Sequence, residues 1–88
     1  MKINDFVFWV VPNGSKFWGI LASFMEDGNP YIISDCSGSD HPPEQVKVTT
    51  LQEIIDYNEQ EWGWSEQRTR NQVKVAQRTV ESVFQMEG

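Results

Sequence analysis

The chain has one cysteine and one histidine in 88 residues. A lone thiol closes no intramolecular disulfide, so nothing covalent staples the fold. One Cys and one His cannot make a closed zinc pattern. No orienting third group stands beside them for nucleophilic catalysis. No apolar run approaches the ~18 residues of a membrane span. No repeat or low-complexity tract interrupts the chain, and its start carries no signal-like pattern. Together with the single thiol, this sets the expectation of a reducing cytoplasm. Basic residues are few: 7 Lys and Arg against 13 Asp and Glu, for a net charge of −6. That balance argues against a general phosphate-binding surface. No catalytic constellation, metal set or cofactor motif is recognisable, and the expectation is a non-enzyme.

Aromatics, by contrast, are plentiful: four Trp, two Tyr and five Phe. A single domain of this length buries only about 60–65% of its unfolded surface. Its core must come from side chains that each bury roughly 150–250 Å². Phe6–Val11 and Phe17–Phe24 read as strands, rich in residues that suit a pleated surface. Aromatics occur at both parities, Phe6 and Phe8 on one face and Trp9 on the other, so both faces need a cover. Between the strands, Pro12 disfavours a two-residue turn because it has no N–H to return to Ser15. Pro12-Asn13-Gly14 then forms a three-residue loop with Gly14 left-handed. This register sets Trp9 opposite Phe17, Phe8 opposite Trp18 and Val7 opposite Gly19.

Further on, 31–36 reads as a third strand. Ser37–Glu44 is dense in Gly, Pro, Ser and Asp and reads as a surface loop. Residues 45–48 form a short strand with Val46 and Val48 inward. Thr50 and Glu53 form a capping box. Leu51, Ile54, Ile55, Asn58 and Trp62 follow at helical spacing, and Gly63 ends that helix. Ser65 caps a second helix with an apolar stripe of Val73, Ala76, Val80, Val83 and Phe84. The expected fold is α+β in one domain, residues 1–88: an antiparallel meander of three or four strands over 1–49 and a helical pair over 50–88. Curling into a partial barrel would cover the sheet face that the helices leave bare.

Asp5, Val7, Trp18 and Gly19 give the first 35 residues a pattern that resembles the opening hairpin of SH3-like small barrels of the Tudor and PWWP type. That resemblance implies a surface on which exposed aromatics bind peptides, methylated side chains or nucleic acid. Four groups of side chains compete for a role. The aromatic hairpin offers Trp9, Trp18 and Tyr31 as partner-binding residues, with at least one of the two tryptophans expected to be partly exposed. Arg70, Lys74 and Arg78 line one side of the second helix and could meet the same partner or pair with acids of the first. Glu53, Asp56, Glu59 and Glu61 form an acidic surface, read as a solvated helix face or as a mimic of negative charge. Asp35, Cys36, Asp40 and His41 read as loop polar residues, with a metal or small-ligand site as the sharper alternative. Val75, or Trp62 and Trp64 in "EWGW", could mark a partner or dimer contact, the alternative being ordinary exposed apolar residues without a role.

The expected function is a protein-binding module acting on a host protein. A small acidic domain of this kind is similar to bacteriophage accessory proteins that block host enzymes, anti-CRISPR proteins among them. The alternative is a reader of nucleic acid or of a modified peptide, using the hairpin aromatics and the basic stripe.

Overall fold

The structure, a computed structural model, describes residues 1–34 and 38–87, and for 83–87 the backbone alone. Five strands form one sheet: β1 (Phe6–Val10), β2 (Lys16–Phe24), β3 (Pro30–Ile33), β4 (Gly38–Asp40) and β5 (Val46–Val48). Their spatial order is β4-β3-β2-β1-β5, every neighbour antiparallel. Two helices follow, α1 (Leu51–Trp62) and α2 (Glu66–Glu87). The fold is thus α+β, a meander followed by a helical pair.

The first hairpin has the expected register: Trp9 faces Phe17, Phe8 faces Trp18 and Val7 faces Gly19. The turn explains it. The Gly14 N–H donates to the Val11 carbonyl at 2.9 Å, and the Val11 N–H donates to the Ser15 carbonyl at 3.0 Å. Gly14 has φ 90°, a conformation that costs glycine nothing. The Asn13 side chain accepts from the Ser15 N–H and holds the loop.

The sheet has one strand more than the sequence suggests. Residues 38–40, read as loop, pair with β3, placing Tyr31 opposite Asp40 and Ile33 opposite Gly38. All three residues of β4 are exposed, so no apolar alternation announces an edge strand of this kind. Glycine is required there: a Cβ on Gly38 would lie 2.7 Å from the Tyr31 ring.

Both sheet faces are covered, by different means. On one face Phe8, Trp18, Ile20, Ala22 and Ile33 pack against Ile54 of α1 and Val73, Ala76 and Val80 of α2. On the other, Val7, Trp9, Ile32 and Val46 form a separate cluster. The chain from β4 to β5 must cross this second face, because those strands lie at opposite edges. Four strand spacings in a flat sheet span ~19 Å. Six residue steps that include a 3₁₀ turn at Pro43–Gln45 reach only about 16 Å. The sheet therefore curls, with the Trp9 face concave. His41 lies in this crossing and stacks on Trp9 at 4.8 Å. The curl stops short of a barrel, since β4 and β5 do not pair.

Several expectations are corrected. Trp9 and Trp18 are both buried, because the crossing chain covers one and the helices the other. Val46 points inward, but Val48 is 52% exposed at the free edge. Trp62, on the last turn of α1, extends past the sheet and is 64% exposed. The α2 stripe holds at Val73, Ala76 and Val80, with Thr69 buried beside them. The side chains of Val83 and Phe84 lie outside the described residues, as do Asp35, Cys36 and Ser37.

The helices begin and end as their sequences direct. The Thr50 side chain accepts from the Glu53 N–H, and the Glu53 carboxylate accepts from the Thr49 hydroxyl. Gly63, at φ 66°, closes α1 by donating its N–H to α1 carbonyls. The Ser65 hydroxyl accepts from the Arg68 N–H at 3.2 Å and starts α2. Inside this corner, the buried Asn58 amide donates to Thr69 Oγ1 at 3.3 Å and joins the two helices.

Two substitutions test this packing. A Cβ on Gly19 would come within 2.5 Å of Ile32 Cγ2 and 3.0 Å of the Ile33 carbonyl oxygen. Gly19→Ala is expected to destabilise by about 1–3 kcal/mol in urea denaturation, as overpacking does. Val80→Asp places a carboxylate at a position only 1% exposed. That costs several kcal/mol, against a total of about 5–15 kcal/mol, so circular dichroism should show an unfolded or strongly destabilised chain.

Candidate functional site

Strand β2 outruns β3. Pairing between them begins at Ile20 opposite Ile33, so Lys16–Gly19 extend beyond their neighbour. In the β1–β2 ladder the odd-numbered residues of β2 direct their backbone groups toward β1, as the Val11–Ser15 bond shows. Lys16 and Trp18 therefore direct theirs to the open edge. The Tyr57 hydroxyl of α1 donates to the Lys16 carbonyl there at 3.0 Å, in the place of a strand partner.

Around this edge lies a groove of about 430 Å³. The hairpin supplies Trp9, Lys16, Phe17 and Trp18, and the corner between the helices supplies Tyr57, Trp62, Trp64 and Arg68. All four tryptophans of the chain line it. Trp9 and Trp18 form its buried floor, while Phe17 at 45% and Trp62 at 64% exposure form its open rim. Rings support one another across the site. Phe17 stacks on Trp9 at 5.5 Å, and Trp9 on His41, a run of three rings. Tyr57 meets Phe8 edge-on at 5.3 Å.

The two cations of the groove lie on rings. The Lys16 ammonium lies 4.0 Å from the Phe8 centroid and 5.1 Å from that of Tyr57. The Arg68 guanidinium lies 4.2 Å from the centroid of Trp64. Each contact is worth roughly 0.5–1 kcal/mol at an exposed site. Among the described residues, no carboxylate lines the groove.

A second, larger groove of about 710 Å³ runs between α1 and the β1–β5 edge. Its wall mixes Lys16 and Lys47 with Glu44, Glu53 and Asp56 around Phe8, Val10 and Tyr57. Size alone does not decide between the two. Binding energy concentrates in buried aromatic and arginine anchors, and the smaller groove holds them.

The structure gathers only part of the residues singled out in the sequence. Trp9 and Trp18 reach the groove. Tyr31 does not; it is half-buried against the helix-facing cluster, beneath Gly38. Arg70 pairs with Glu66 at 2.9 Å within α2, not with the acids of α1. At 3.6 residues per turn, Arg70 and Lys74 lie across the buried stripe from Arg68, and Arg78 faces away from it. Glu53, Asp56, Glu59 and Glu61 are exposed on α1, and Glu53 and Asp56 belong to the larger groove. His41 serves the crossing chain: besides Trp9, its Nε2 lies 2.8 Å from the Ser39 hydroxyl. The Asp40 carboxylate accepts from Asn29 at 3.3 Å. No group of three potential metal ligands occurs among the described residues. Lys16, Tyr57 and Arg68 were not legible as site residues. Arg68 had one signal: no acid stands three or four positions from it, unlike Arg70.

Comparison with protein families, curated proteins and solved structures finds no match.

Burial, and secondly the charge of Glu61, push the Tyr57 hydroxyl above the ordinary tyrosine range. The folded state thus holds this proton more tightly than the unfolded chain. Its contribution is present below the unfolded value near 10 and is lost as pH rises through the higher folded value. Stability should fall above about pH 10. Tyr57→Phe should remove the late-titrating phenolate from the alkaline absorbance curve. A Tyr57 that titrates like a free tyrosine would count against its burial beside Glu61.

Proposed function

We propose that this chain is a non-catalytic module that binds another protein through the tryptophan groove. One observation carries the reading: the fold brings every tryptophan of the chain to one surface and leaves the last, Trp62, largely exposed. Interfaces are enriched in Trp, Tyr, Phe and Arg at their centres, and a few such residues supply most of the binding energy. The rim offers Trp62 and Phe17, and the floor beneath them is rigid. Restraint of a host enzyme, as bacteriophage accessory proteins achieve it, follows from the same reading. A module of this kind acts by occupying its partner's surface.

A second reading has its own support. Cations beside stacking rings also suit single-stranded nucleic acid. The net charge of −6 and the carboxylates of α1 oppose a long polyanion.

The test is capture from lysate of the cells that carry the protein, followed by measured affinity for the captured protein. Trp62→Ala should weaken binding by about 2 kcal/mol or more, in the hot-spot range, while the melting temperature stays unchanged. Arg70→Gln, across α2, should leave affinity unchanged. Undiminished affinity in both Trp62→Ala and Phe17→Ala would remove the groove from the interface. Capture of nucleic acid, with affinity falling steeply as salt rises, would favour the second reading.

A further inference from the structure

We infer that the groove is built for an acidic segment of the partner, one that seats an aromatic or large aliphatic side chain on the tryptophans and sets carboxylates against Lys16 and Arg68. This rests on the protein-binding reading and adds the chemistry of the occupant.

The charge pattern carries it. The chain has nearly twice as many acids as bases, yet among the described residues the groove lining has two cations and no carboxylate. Neither cation has an ion-pair partner among the described residues, where the one salt bridge is Arg70–Glu66. For Arg68 the helix itself explains this. The positions three and four away are Trp64, Ser65, Asn71 and Gln72, and none is acidic. Trp64 instead holds the guanidinium by its face, 4.2 Å from the ring centroid. A guanidinium stacked this way keeps its planar edge of N–H donors for a carboxylate, which it can bind through two parallel hydrogen bonds. Lys16 comes from the hairpin and lines both this groove and the larger one, its ammonium lying on the Phe8 and Tyr57 rings where the two adjoin. The cations thus come from two different elements, the hairpin and α2, and share the groove lining with the four tryptophans. A basic segment would meet like charge at both residues. A neutral apolar segment would leave both cations desolvated and unpaired.

The direct test is selection of random displayed peptides on the full chain. Affinities of the selected peptides are then measured by quenching of the protein's tryptophan fluorescence. The enriched peptides should carry an aromatic or leucine residue flanked by Asp or Glu. Arg68→Gln and Lys16→Gln should each weaken them by about tenfold or more, with circular dichroism unchanged. Arg68→Lys should recover only part of the loss, since an ammonium lacks the planar fork. Arg70→Gln should stay within about twofold of the parent. Enrichment of basic or uncharged peptides would overturn the inference, as would no enrichment at all. Acidic peptides that bind Arg68→Gln and Lys16→Gln as tightly as the parent would do the same. An oligothymidylate that displaces the peptides and binds more tightly would replace the acidic segment with single-stranded nucleic acid. The Trp62→Ala capture experiment is independent of these outcomes. If capture depends on Trp62 while acidic peptides fail, the groove remains an interface and only the occupant is wrong.

Discussion

Everything in this small domain depends on the register of its first hairpin. Pro12 withholds an N–H, Gly14 accepts a left-handed conformation, and the strands are locked with Val11 against Ser15. The alternation of β1 and β2 follows from that one turn. Phe8, Trp18 and Ile20 are delivered to the helices, and Val7 and Trp9 to the concave face. A slip of one residue between the strands would break these cross-strand pairs and misplace the large side chains of one strand. Burial of each such side chain is worth roughly 1.5–3 kcal/mol, so few errors exhaust the stability of a domain without disulfides.

The same register shapes the groove. Strand β2 is long and β3 short, so the stretch Lys16–Gly19 projects past the sheet. The corner where α1 meets α2 closes over that stretch, set by Gly63, Ser65 and the buried Asn58–Thr69 hydrogen bond. Tyr57 caps the open strand edge, and Trp62 and Trp64 arrive beside Trp9 and Trp18. Two buried tryptophans make a floor, two come from the helical corner, and Lys16 and Arg68, each on a ring, share the lining. This arrangement has no evident use in folding beyond its buried half, and its exposed half is the basis of the proposed function.

Much of the fold was legible because it rests on local chemistry. Turn residues gave the hairpin register, and Thr50, Gly63 and Ser65 gave the helix boundaries. Alternation and helical spacing gave the two-faced sheet and the inner stripe of α2. Strand β4 was hidden because Gly38, Ser39 and Asp40 are all exposed and polar, as an edge strand can afford to be. The crossing of the concave face by His41 was hidden too, since it follows from strand order and not from any local pattern. Aromatic content pointed to a binding surface, but not to which rings would stay exposed. Trp9 and Trp18 were the expected platform and became the floor; Trp62 read as the last residue of an apolar stripe and became the rim. Lys16 and Arg68 gain their meaning only where the hairpin tip meets the helical corner, some fifty residues apart in sequence.

The account is tested most directly by nuclear Overhauser contacts of the Trp9 indole in solution. Contacts from Trp9 to both the Phe17 and His41 rings are expected, together with contacts between the Phe8 and Tyr57 rings. They would establish the hairpin register, the crossing chain and the placement of α1 in one experiment. A Trp9 that instead contacts Trp18 as its cross-strand neighbour, with no contact to His41, would contradict the register and the groove built on it.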